Sequence, residues 1–184
     1  MRHQVETTVT FAKWLEGMGD EALALGALLE RADLSEPLRQ TSAESINYLL
    51  RSVELIPAGV EDLGYLEVLF AFRALAQRVV QAHPGLASVD AGGNIGQLAS
   101  DADRVREFLE ADFPRLRELV EQPAATMAKG RSPSDLLNDA DARAAALAEL
   151  GAWVESYSAP QFGSGPEELV KLLSFMRTRL RQHA

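Results

Sequence analysis

The sequence predicts an all-α protein, an irregular multi-helix bundle of about seven helices. Three observations carry this. Apolar side chains recur at the three-and-four spacing of a helix face; Ser, Asp and Pro stand where helix starts need them; and β-branched enrichment is confined to Val5–Phe11. The 184 residues suffice for a single domain, 1–184, with a helical hairpin at 38–82 and a C-terminal helical layer at 94–184.

Alternation within Val5–Phe11 admits a short strand, but Phe11, Trp14, Leu15 and Met18 fit one helix face better, so a helix is expected. Asp20 reads as the start of a further helix over Leu23–Ala32, and Ser35 with Pro37 as the start of one over Leu38–Val53. Ile95, Leu98, Ala102, Val105 and Leu109 form an apolar stripe that Pro114 interrupts, with a kink or new start expected near Asp112–Pro114. Leu116, Leu119 and Val120 continue the face, and the polar stretch Gln122–Ser132 reads as a surface connection.

The next helix has explicit start chemistry: Ser132 as cap, Pro133 with a helical φ, and Asp135 at the capping-box position. Its buried stripe is expected to run unbroken through Leu136, Ala140, Ala144, Leu147, Leu150, Val154 and Tyr157. After the turn-rich Ser158–Pro166, Ser164 with Glu167 is placed to cap a last helix whose core face is Leu169, Leu172, Leu173, Met176 and Leu180. Arg177, Arg179 and Arg181 complement the negative end of that helix's dipole.

Composition narrows the function classes. Hydrophobic residues make up 47% and charged residues 24%, the balance of a chain that folds alone. With no cysteine, thiolate metal sites, disulfides and cysteine nucleophiles are excluded. The net charge of -9, from 27 acidic and 18 basic residues, repels phosphate backbones, so no nucleic-acid partner is expected. Glu67, Arg73 and Arg78 interrupt the most apolar window, so no transmembrane segment is expected. Glu6 and the threonines after it interrupt any secretion signal at the N-terminus, and a cytoplasmic location follows as the expectation.

One segment has an unusual signature. Ile46–Leu75 reads INYLLRSVELIPAGVEDLGYLEVLFAFRAL. Leu55, Ile56, Pro57, Leu63, Gly64, Tyr65 and Leu66 match the linker pattern of two apolar helices in the DUF1232 (YkvA-like) family, which this segment resembles, with Glu54 and Glu67 in place of aspartates. Ala58 and Val68 stand where the family has two further acidic residues. As a hairpin, the segment is physically intelligible. Pro57 stops the first helix, Gly59 allows backbone angles closed to other residues, and Gly64 permits close approach. Leu66, Leu69, Phe70 and Leu75 are then expected to pack against Ile46, Leu49, Leu50 and Val53, with Tyr65 tying the loop through its hydroxyl.

Two readings compete for the hairpin's polar residues. Glu54, Glu61, Asp62 and Glu67 form a carboxylate set of the kind that binds magnesium or calcium, but helix capping and solvated charge account for them without a metal. Tyr65 and Phe72, with Glu54 and Glu67 beside them, are the expected interaction residues. His3, His83 and His183 are dispersed and form no ligand pair, and His83 beside Pro84 marks a helix end. The loop Asp90–Gly96 lacks the residues of a phosphate cradle or calcium loop and reads as a connection before a helix. Asp101, Asp103, Glu107 and Glu110 alternate with Arg104 and Arg106 as a solvated mixed-charge face, and no serine sits in a nucleophile elbow.

No complete catalytic or cofactor constellation emerges. The expectation is a non-enzymatic helical protein that docks an unidentified protein partner or self-associates, with no catalytic residue and no cofactor. Two alternatives stand beside it: a metal-binding domain or metal-assisted hydrolase using the hairpin carboxylates, and a bundle that binds an apolar small ligand.

Overall fold

Residues Glu61–Ala82 form a helix that is buried on nearly every side, and the other helices are arranged around it. The structure, a computed structural model, describes residues 2–88 and 95–182. In chain order the α-helices are α1 (Arg2–Leu29), α2 (Glu36–Ser52), α3 (Glu61–Ala82), α4 (Ile95–Leu109), α5 (Phe113–Glu121), α6 (Pro133–Asn138), α7 (Ala140–Ser156) and α8 (Pro166–Gln182). Among the described residues there is no strand, only an isolated bridge between Ala128 and Arg131. The all-α bundle is therefore as the periodicity requires, and no described helix is long and apolar enough to cross a membrane.

The hairpin forms as its sequence dictates. α2 and α3 pack on one another, burying Ile46, Leu49 and Leu50 with Leu66, Leu69, Phe70 and Leu75. Between them Gly59 adopts φ +89°, the left-handed region that disfavours a side chain. Gly64 solves a different problem: a Cβ there would stand 2.6 Å from Ile56 Cγ1, so the turn closes onto the first residues of α3 only because position 64 has none. Gly64→Ala is expected to lower stability by about 1 kcal/mol, because overpacking of about 1–3 kcal/mol exceeds the helix-propensity gain of about 1 kcal/mol. Denaturant unfolding of Gly64→Ala with and without Ile56→Ala checks this, and Ile56→Ala should relieve most of the overpacking.

α1 corrects one expectation. Asp20 starts no helix; α1 runs without a break from Arg2 to Leu29, and Asp20 lies exposed on its surface. The stripe Phe11, Leu15, Met18, Ala22, Leu25 and Leu28 is fully buried and continuous through that position, so core burial outweighs the local start signal and the nearby glycines. Gly26 has a packing reason, since a Cβ there would meet Leu150 Cδ2 at 2.8 Å. α7 crosses α1 at that point.

The helix expected from Ser132 onward divides in two. The capping box is present, with Ser132 Oγ accepting from the Asp135 amide at 3.2 Å and Asp135 Oδ2 accepting from the Ser132 amide at 2.7 Å. At Asp139 the backbone turns extended, and its carboxylate accepts from the amides of Asp141 and Ala142 to start α7. The break changes the register, so Ala140 and Ala144 are exposed while Ala146 and Leu150 are buried. α8 also starts later than expected, at Pro166, which leaves Ser164 outside the capping position; its carbonyl instead accepts from Thr8 Oγ of α1 at 3.4 Å.

The remaining boundaries follow their signals. Ser35 precedes α2 with Pro37 in its first turn, and His83 ends α3. The α4 stripe breaks at Glu110–Asp112, where Pro114 opens α5. Asp90–Asn94 and His183 lie outside the described residues, as does the side chain of His3; α4 begins directly afterwards at Ile95.

Candidate functional site

The residues singled out in the hairpin separate in three dimensions. Phe72 is 1% exposed and belongs to the core, which removes it as an interaction anchor: α3 is enclosed by other helices, so its apolar side chains have no free face. Tyr65 is half-buried. Its ring packs edge-on against Trp153 and Tyr157 of the α7 end, with centroids 6.0 and 5.2 Å away, and Tyr157 in turn donates to the Leu15 carbonyl at 2.7 Å. Tyr65 thus joins the hairpin to α7 through its ring.

The four carboxylates serve different neighbours. Glu54 is exposed and pairs with Lys129 at 3.4 Å. Glu61 accepts from the Gly59 amide at 2.9 Å, which closes the hairpin turn and holds its carboxyl below the usual carboxylate range. Asp62 lies in the first turn of α3, where the helix dipole favours an acid. Glu67 is 4% exposed and faces inward. Among the described residues no group of three or more His, Asp or Glu side chains is placed to hold a metal ion.

Glu67 corrects its expected place on an interaction surface, because it is the centre of a buried polar link. Tyr48 Oη of α2 donates to Glu67 Oε1 at 3.0 Å, and Arg179 Nε of α8 donates to Oε2 at 3.0 Å. Burial and the adjacent Glu67 push the Tyr48 hydroxyl well above its ordinary value, so it remains a donor. Arg177, two residues earlier, donates to Asp112 Oδ2 at 2.8 Å. Two of the arginines assigned to the helix dipole are therefore ionic fasteners that hold α8 to α3 and to the α4–α5 junction.

A second buried ion pair lies further along α3, and sequence reading missed it. Arg73, 1% exposed, donates through both terminal nitrogens to Glu21 of α1 at 3.0 and 3.1 Å, and to the Leu69 carbonyl at 2.9 Å. Its guanidinium lies over the Trp14 ring, 3.7 Å from the centroid, with Asp101 of α4 at 3.9 Å. Burial raises the Glu21 carboxyl against the opposing pull of Arg73. At the surface, Glu149 is held below the usual range by Arg131, which it engages at 2.7 Å.

These opposite directions give opposite pH signatures. For Glu21 the folded state holds the proton more tightly, so wild type should lose stability relative to Glu21→Gln as pH rises from the ordinary 4.5 through the raised value. For Glu149 the wild-type advantage over Glu149→Gln should be full above the ordinary 4.5 and fade as pH falls through the lowered value. Urea unfolding of the two variants and wild type across the acidic range reads both trends.

A concave surface lies elsewhere, where the start of α1, the end of α4 and the start of α8 meet. There a groove of about 580 Å³ has a floor of Phe108, Leu169 and Leu173, with Phe11 fully buried behind it. Beneath the floor is an aromatic cluster: Phe11 stands 5.3 Å from Phe108 and 5.0 Å from Phe70, edge to face, with Trp14 beside it. Val170 lines one wall and is 66% exposed. Glu6, Glu107 and Glu110 line the groove together with Arg104, whose guanidinium donates to Thr10 Oγ at 3.2 Å. Glu110 adopts φ +50°, uncommon for a residue with a side chain.

The other large exposed apolar residues among the described ones are Val5 and Val9, one turn apart on α1, Leu23 further along it, Leu55 in the hairpin turn and Met127 before α6. The sequence signal for the groove is partial: Glu107, Glu110 and Arg104 read as a solvated charged face, but its convergence with α1 and α8 is a tertiary fact. No protein-family model, no curated protein and no solved structure matches this chain.

Proposed function

We propose that this protein is a non-enzymatic helical interaction module whose docking surface is the α1/α4/α8 groove. The observation that carries the reading is the groove itself: an apolar floor over rigid aromatic packing, an exposed Val170, and a charged rim, all on helices. This is the anatomy of a binding surface, with apolar anchoring sites at the centre and polar groups around them. The surface carries net charge -9, which disfavours nucleic acid and favours a basic partner. The hairpin then acts as scaffold, with Tyr65 and Glu67 locking neighbouring helices in place. The resemblance of this hairpin to the DUF1232 family is part of the proposal.

A photo-crosslinking residue at Val170 tests this in extract from the native cell, with the same residue at exposed Glu36 as the control. A discrete adduct at position 170 and none at 36 is expected. Equal patterns at both positions, or none at 170, contradict the proposal.

A further inference from the structure

We infer that the groove takes a basic amphipathic helix, one whose apolar side chains recur at i, i+4 and i+7 and whose flanks carry Lys or Arg. This rests on the groove being the docking surface and adds what docks there. Length is the first argument. Along α8 the lining runs from Pro166 to Leu173 and along α1 from Gln4 to Thr10, so each side spans about two turns, roughly 10 Å. Two turns of a docked helix present side chains at i, i+4 and i+7, and a floor of Phe108, Leu169 and Leu173 suits that number of anchors.

Charge is the second argument. Among the described residues the rim holds three carboxylates, Glu6, Glu107 and Glu110, against one guanidinium, Arg104, already engaged by Thr10. Glu6 stands on α1 and the other two at the end of α4, so cationic flanks meet acids on two walls. Basic flanks would be steered in and held, and acidic ones repelled.

The probe is a fluorescent peptide of about 16 residues with three leucines at those spacings and lysines at both flanks, beside a twin with glutamates at the flanks. Fluorescence anisotropy with the full chain should show the lysine peptide binding at least about tenfold tighter, an advantage that shrinks as salt rises from about 50 to about 500 mM. Glu6→Lys with Glu107→Lys should weaken it about tenfold, while Glu30→Lys with Glu36→Lys, the same charge change far from the groove, should leave it within about twofold. Val170→Asp should abolish binding, with circular dichroism confirming the fold.

Equal affinity for both peptides, still lost in Val170→Asp, would overturn the charge selectivity and leave the docking surface standing. Binding indifferent to Val170→Asp would overturn both. Saturable binding of dodecyltrimethylammonium in calorimetric titration, with no binding of either peptide, would overturn the helix as occupant and favour a cationic small amphiphile.

Discussion

Arg73→Ala is expected to destabilise the fold by about 3–5 kcal/mol, a large part of the total for a domain of this size. The residue is enclosed among α1, α3 and α4, and its removal leaves the Glu21 carboxylate without its bidentate partner and Asp101 without its nearby cation. It also strips the Trp14 ring of a stacked guanidinium and leaves a void in the centre of the bundle. The charge contribution separates from the packing contribution in a double change. Arg73→Met with Glu21→Leu fills the space with apolar atoms and removes both charges, and should recover most of the loss. Urea unfolding of the single and double variants measures this. A double variant no better than Arg73→Ala would mean that the pair is not the cause.

Glu67→Ala ranks second, at about 3 kcal/mol, and its consequence reaches the groove. The change orphans the buried Tyr48 hydroxyl and releases Arg179, so α8 loses its ionic attachment to α3 while Arg177 still engages Asp112. Glu67→Gln keeps an acceptor for Tyr48 and the side-chain volume but loses the charge facing Arg179, and should cost about 1–2 kcal/mol. Because α8 supplies one wall of the groove, Glu67→Ala should weaken binding of the basic peptide, whereas Gly64→Ala should not. Differential scanning calorimetry and anisotropy on the same samples read the two effects together.

How far the sequence disclosed this architecture depended on whether a signal was local. The capping box at Ser132, the proline start at α5 and the left-handed glycine at 59 are chemistry within a few residues, and each is found where the pattern put it. Asp20 and Asp139 show the limit of such signals. Both are good helix-start residues, yet only Asp139 caps a helix; at Asp20 the buried stripe runs straight through. The candidate site was least legible. Arg73 and Glu67 read as charges interrupting an apolar window, and nothing local announces that Glu21 lies 52 positions away and Arg179 lies 112 away. Partners at such separations are set by packing, and a charge within an apolar stretch shows only that some partner is needed.

The two ion pairs and the groove form one system. Arg73 fastens α1 to α3, Arg179 fastens α8 to α3, and Phe11 of α1, Phe108 of α4 and Leu169 of α8 converge at the base of the groove. A docking surface built on helices fixed in this way is pre-organised, which reduces the entropy lost on binding.

Amide hydrogen exchange by mass spectrometry, on the full chain with and without saturating lysine-flanked peptide, tests most directly that the groove is where this protein acts. Added protection should fall on the segments 4–11, 104–110 and 166–173 and leave the hairpin turn at 53–60 unchanged. Protection concentrated at the hairpin turn, or spread evenly over the chain, would contradict the account.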